Sequence, residues 1–136
     1  MGLFSKKINY PELGKDHSAA KQLGNFEEPL KELVGQIPDP VEVVLAENNA
    51  YVFIGKPPKK FGLALFEDGS FKNFIALAKE KGLSNPKILS VIESIGNAYK
   101  GSKDVERFKK NISGKDIVIT PCQDLTSKVA KAIKSI

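Results

Sequence analysis

The sequence has few of the side chains that hold transition metals or form disulfides. Its 136 residues include one cysteine, Cys122, and one histidine, His17. A single cysteine excludes an internal disulfide, and the two residues together are too few for an ordinary zinc site. The acidic residues also lack the spacing of a calcium-binding loop. We therefore expect neither a metal nor a cofactor.

Long apolar runs and recognisable catalytic motifs are also missing. No segment approaches the roughly 18 consecutive apolar residues of a membrane-spanning helix, and the opening MGLFSKKINY has no signal-peptide apolar region. There is no Gly-rich phosphate loop, nucleophile elbow or recognisable carboxylate pair. These observations predict a cytoplasmic protein that does not enter a membrane. They name no catalytic residue, so enzymatic activity stays open but is not favoured.

Positive charge is abundant and unevenly distributed. The net charge is +5, with 8 basic and 10 acidic residues in 1–70 but 13 basic and 6 acidic residues in 71–136. Such asymmetry indicates an anionic partner for the C-terminal half. A lysine-rich coding bias is the alternative explanation, because Arg107 is the only arginine able to grip a phosphate with two parallel hydrogen bonds.

Length and composition predict one folded unit. With 136 residues and 41% hydrophobic content, the chain can build one core. Residues 1–16 mix Gly, Pro, Lys and Asn without periodicity, which predicts an irregular N-terminal arm. Residues 17–136 are then expected to form a single α+β domain.

The middle of the chain predicts a β-meander. Three β-rich runs, 41–46, 51–54 and 61–66, are joined by connections too short for a crossover, so the strands should be antiparallel. The second and third runs are apolar on both faces, and such strands need cover on both sides. If helices cover only one side of the sheet, the other side should be a dimer interface.

Helical spacing dominates the rest of the chain. Apolar residues recur at helical intervals in 25–37, 70–81, 85–100 and 124–136, with short helical pieces at 18–23 and from Ser102 to about 111. The run 117–120 predicts a fourth strand, parallel to a neighbour because of the long helical connection before it. We therefore expect an α+β or mixed α/β fold, with helices on a four-stranded mixed sheet in the order α-β-β-β-α-α-α-β-α.

The stretch IGKPPKKFG is the first candidate site. Lys56, Lys59 and Lys60 should lie at the tip of a hairpin. One interpretation is a solvated turn, and the other is a contact with an acidic protein surface or nucleic-acid phosphates. A phosphate cradle is disfavoured, because Pro57 and Pro58 lack the backbone N–H groups that a cradle uses.

Cys122 and Asp124 form the second candidate. They follow an apolar strand and precede a helix, the position at which parallel α/β folds bind ligands and at which a helix lowers the pKa of a thiol. A reactive thiol or small-ligand pocket is one interpretation. An inert cysteine with Asp124 as the helix N-cap is the other.

The third candidate is the polar stripe Lys128, Lys131 and Lys134 on the final helix. The stripe is suited to an anionic partner, although lysines near a helix C-terminus also complement the helix dipole.

Taken together, the residues favour a non-enzymatic protein-interaction or regulatory module, whose partner is either another protein or a second copy of the chain. One alternative is a weak polyanion or nucleic-acid binder that uses the 56–60 lysines and the basic C-terminal half. Another is a thiol or small-ligand site at Cys122.

Overall fold

Six strands form one mixed sheet in a computed structural model of the protein, which describes residues 10–46, 49–57 and 60–134. The strands are β1 (Val41–Ala46), β2 (Asn49–Lys56), β3 (Lys60–Glu67), β4 (Ser70–Asn73), β5 (Phe108–Ile112) and β6 (Lys115–Pro121). The helices are α1 (Ser18–Gly24), α2 (Glu27–Gln36), α3 (Phe74–Glu80), α4 (Asn85–Lys100) and α5 (Gln123–Lys134). The mixed α+β class is thus confirmed.

The sheet has the order β4-β3-β2-β1-β6-β5. The first four strands are a meander of antiparallel neighbours, as expected from their short connections. β6 then pairs with β1 in parallel, with Val43 opposite Ile119. The long connection through α3 and α4 makes this parallel pairing possible, because a short one cannot bring a strand back in the same direction.

The sheet has six strands rather than the expected four, and the expected helix 70–81 is wrong at its start, where Ser70–Asn73 form β4. Asp68 and Gly69 both have positive φ, 52° and 84°, and form a two-residue turn that pairs Glu67 with Ser70. Asp-Gly is well suited to this tight hairpin. Ser70 is therefore in a strand, and Asn73 caps α3 instead, with its Oδ1 accepting a hydrogen bond from Ala76 N at 3.0 Å.

The short helix expected from Ser102 is also wrong over its second half, which is β5. Ser113 and Gly114 have φ of 53° and 85° and make a second two-residue turn, so that Ile112 pairs with Lys115 in β6. The alternation of buried Phe108 and Ile112 with exposed Asn111 fits a strand half-buried at the sheet edge.

Helices cover both faces of the sheet, as the two-sided apolar strands predict. On one face Val43 and Leu45 of β1 pack with buried residues of α1 and α2. On the other face Val44 packs with buried residues of α3, α4 and α5. Successive residues of a strand point alternately into the two cores, because side chains along a strand repeat with a period of two. The sheet faces therefore do not supply the dimer interface that a one-sided sheet would need.

The segment before α1 lies along the outer edge of β5. Leu13 N donates to Lys109 O, and Lys109 N donates to Pro11 O, both at 2.9 Å. Leu13 is buried, and His17 caps α1 while the edge of its ring packs on Phe108 at 4.8 Å between centroids. Residues 1–9 of the expected irregular arm, as well as Lys59 and Ile136, lie outside the described residues.

Candidate functional site

A buried polar network centres on Glu42 of β1. Its carboxylate accepts hydrogen bonds from the Tyr99 hydroxyl at 2.5 Å, the Thr120 hydroxyl at 2.6 Å and Arg107 Nε at 2.9 Å. Glu42 and Arg107 are only 8% and 6% exposed, and Thr120 is fully buried. A buried carboxylate needs such partners, since an unpaired one is costly.

Arg107 extends this network into the connection between α4 and β5. Its Nη1 donates to Ser102 O at 2.9 Å, and its Nη2 donates to Ser102 Oγ at 3.1 Å. Burial acts to lower the pKa of Arg107, but the Glu42 carboxylate, together with Tyr99 and Tyr10, raises it overall. Burial and the same carboxylate raise the pKa of Tyr99. Among described residues, no buried side-chain N or O atom lacks a partner, so the network is closed and holds the fold together.

The sequence did not predict this network. No expectation involved Glu42, and Arg107 was considered only as a side chain able to grip a phosphate. The available signal was a lone acidic residue in VEVVLA together with the only arginine of the chain. The two residues are 65 positions apart, so their contact depends on the parallel pairing of β1 and β6.

Lys56 and Lys60 flank the tip of the hairpin formed by β2 and β3, as predicted. β2 and β3 extend further than expected, and Lys56 stands directly opposite Lys60, both exposed. Like charges opposite each other on a sheet are destabilising, and among the described residues neither lysine forms an ion pair. Gly55 has φ of 106°, and its N–H donates to Pro40 O at 2.9 Å, which ties the hairpin to the start of β1.

The α5 lysines lie at the other end of the sheet. Ile133 contacts the same small cavity as Leu65 and Glu67, near the end of β3, whereas Lys60 begins that strand. Five residues of strand separate Leu65 from Lys60, or about 17 Å. Lys128 pairs with Asp124 at 3.1 Å, and Lys131 and Lys134 are exposed. The two groups of lysines are therefore separate surfaces.

Cys122 lies at the junction of β6 and α5. Its N–H donates to Leu45 O at 3.1 Å, and its Sγ accepts from Leu125 N at 3.4 Å. The thiol thus caps the first turn of α5, and the side chain packs partly buried against the core beneath α4 and α5. Asp124 is the second residue of the helix rather than its N-cap, which corrects the sequence-based assignment.

The outward side of α4 carries a shallow surface depression. We call this side the α4 face, and it consists of two adjacent i, i+4 rows around a depression of about 330 Å³. The rows are Pro86, Ser90 and Ser94 beside Leu89, Glu93 and Asn97. Leu89 is 66% exposed, and Glu93 is the only charged member of the face.

The α4 helix is well specified by its sequence. Ser84 Oγ caps it by accepting from Lys87 N at 3.4 Å, and Pro86 occupies the first turn, where its missing N–H is not needed. Ile88, Val91 and Ile95 bury the opposite side. Leu89 therefore lies on a well-capped helix, but its side chain is not part of the core.

No group of three or more His, Cys, Asp or Glu side chains that could hold a metal ion lies in the part of the chain that the structure describes. Within the same ranges, no helix combines the length and apolar character needed to cross a membrane. Comparison with known proteins finds no match to a family model, a curated protein or a solved structure.

Proposed function

We propose that the protein is a non-enzymatic interaction module that works as a homodimer through the α4 face. The observation that carries this proposal is Leu89, a large apolar side chain 66% exposed on a capped helix whose outward rows contain a single charge. Fully burying a leucine contributes about 1.5–3 kcal/mol. The small side chains of the serine row beside it leave a groove that the ridge of another helix can enter.

Charge favours a second copy as the occupant. Leu89, Glu93 and Lys100 recur at intervals of four and seven residues, so they follow one edge of the helix. In an antiparallel pair related by a two-fold axis, side chains on one edge meet the same edge of the other copy. Lys100 of one copy then covers Leu89 of the other with its apolar stem and reaches Glu93 with its ammonium group.

The expected dimer is weak. A helix of 16 residues is about 24 Å long, and one pair of such helices buries less than a standard protein interface. We therefore expect a transient dimer in the micromolar range. Light scattering after size-exclusion chromatography should show a mass above the 14.9 kDa monomer at about 50 μM chain.

Substitutions on the face provide the test. Leu89→Asp should give a monomer at every concentration, and Ala76→Asp, at an exposed site on α3, should not. Glu93→Lys and Lys100→Glu should each weaken the dimer, and the double variant should restore it. A wild-type protein that stays monomeric at about 50 μM, or a double variant that is not restored, would contradict the proposal.

A second candidate function is polyanion binding at the hairpin tip. It is supported by the exposed, directly opposed pair Lys56 and Lys60, since a bound polyanion would relieve their repulsion. With Lys59, three phosphate contacts should give a slope of about −2.7 in log K against log salt on duplex DNA. A cytoplasmic location, which both candidates assume, stays a prediction from the sequence.

The triple alanine variant at these lysines should flatten the salt dependence. A matched variant with Lys79, Lys81 and Lys87 changed to Ala has the same change in net charge and should keep it. Undetectable binding at low salt would end this candidate.

A further inference from the structure

A second surface feature lies on the opposite side of the sheet from α4. A cleft of about 200 Å³ opens between α1, the turn into α2 and β5, and we call it the β5 cleft. Leu23, Ala20 and Ile112 form its apolar lining, and Leu23 and Ile112 belong to the core beneath α1 and α2. Its walls come from two parts of the chain that are far apart in sequence.

Two lysines flank this lining. Lys15 precedes α1 and is exposed, whereas Lys110 is half-buried between Phe108 and Ile112 on the inward side of β5. Within the described ranges, neither lysine forms an ion pair. The one acidic residue in the cleft, Glu27, already pairs with Lys31 at 3.6 Å. The β5 cleft therefore combines an apolar floor with unneutralised positive charge.

We propose that the β5 cleft binds a small organic carboxylate with a short apolar tail. The tail lies on Leu23 and Ile112, and the carboxylate accepts hydrogen bonds from Lys15 and Lys110. At about 30 Å³ per non-hydrogen atom, as for liquid water, the cleft holds a ligand of about seven such atoms. Pentanoate and hexanoate are of this size. This site is independent of the α4 face and of the homodimer.

Binding would also fasten the N-terminal segment to the sheet. Lys15 follows Leu13, whose N–H donates to Lys109 O, and Lys110 follows Lys109 along β5. A carboxylate held by both lysines bridges the two sides of this seam. The exchange of the Leu13 and Lys109 amide hydrogens with solvent should therefore slow when the ligand is bound.

Titration of the labelled protein with hexanoate, followed by amide chemical shifts, tests the proposal. We expect saturable shifts around the cleft with a Kd of about 1 mM, typical of so small a ligand. Lys15→Gln with Lys110→Gln should weaken hexanoate binding at least about fivefold and leave binding of hexanol, which has no charge, unchanged. Ala20→Phe fills the cleft and should abolish binding of both compounds.

The control is Lys87→Gln with Lys103→Gln, which removes the same charge at exposed sites away from the cleft. It should bind hexanoate as the wild type does. Absence of saturable shifts up to about 20 mM overturns the proposal. The proposal is also overturned if the Lys15 and Lys110 changes weaken hexanoate binding no more than the control changes do. Circular dichroism establishes that each variant is folded.

Discussion

Single residues matter most at the buried Glu42. Its two carboxylate oxygens accept three hydrogen bonds, from Tyr99, Thr120 and Arg107. These partners come from α4, β6 and the connection into β5, so one side chain joins three elements. Breaking a buried ion pair is far more harmful than replacing both members, because the remaining charge is left without its partner.

Arg107→Met should therefore destabilise the protein strongly. We expect a loss of about 3–5 kcal/mol in the free energy of unfolding, measured by urea denaturation, because the Glu42 carboxylate stays buried. The double variant Glu42→Leu with Arg107→Met should recover most of that loss. Lys103→Met, an exposed change in the same connection, serves as the control and should change stability by less than about 0.5 kcal/mol.

Tyr99 predicts how stability depends on alkaline pH. Burial, and then the Glu42 carboxylate, raise the pKa of Tyr99 above its ordinary value. A raised pKa means that the folded state favours the protonated hydroxyl, so this contribution is complete below about pH 10 and is lost as the pH rises further. Tyr99→Phe removes the hydroxyl but keeps a ring to pack on Phe53.

We expect Tyr99→Phe to lower the free energy of unfolding by about 1–3 kcal/mol at neutral pH, since Glu42 loses a buried hydrogen bond. The variant should also lose less stability than the wild type between about pH 10 and 12. Burial raises the pKa of Tyr51 too, against the opposing hydrogen bond with Asn49, so some alkaline dependence should remain. Equal slopes for both proteins would contradict this account.

At the scale of elements, hydrophobic periodicity predicted most of the fold. Strand β1 and helix α4 have the expected bounds, and the remaining long helices differ by a few residues at their ends. Both strands that were missed, β4 and β5, follow or precede a two-residue turn. There Asp68 and Gly69, or Ser113 and Gly114, adopt positive φ. In a segment of four or five residues, the spacing of apolar residues does not distinguish a strand from a helix. The turn residues were therefore the decisive signal.

Gly55 tests the hairpin that carries the lysine tip. Its φ of 106° is unfavourable for any other residue, and an added Cβ would lie 3.0 Å from Lys60 O. We expect Gly55→Ala to cost about 1–3 kcal/mol in thermal or urea unfolding. Gly62→Ala is a matched control in the paired strand, because its Cβ would meet only Ile54 Cβ at 3.9 Å. A similar effect of both changes would argue against the strained turn.

Candidate sites were less predictable than elements, because they depend on contacts between distant residues. The hairpin position of the lysines followed from local sequence, whereas their separation from the α5 lysines required the sheet order. The α4 face was not predicted from the sequence either. Leu89 differs from the buried Ile88 and Val91 only by its position around the helix, and local spacing gives no reason for an outward leucine.

Local unfolding of the molecule should begin at the edge strands of the sheet. β1 lies between β2 and β6 under helices on both faces, whereas β4 is a short edge strand. In native-state hydrogen exchange, we expect the protected amides of β1, β2 and β6 to exchange only through global unfolding. The amides of β4 should exchange faster, through local opening. Protection of β4 equal to that of β1 would show that the sheet unfolds as one unit.

The parallel pairing of β1 and β6 affects the protein during its synthesis. Glu42 and Thr120 are 78 residues apart, so the meander β1 to β4 emerges from the ribosome long before β6. One side of β1 then has no strand to pair with, and such an open edge favours association between nascent chains. Chaperone dependence should therefore concentrate in the interval before residues 115–121 are translated, and it should end when β6 inserts beside β1.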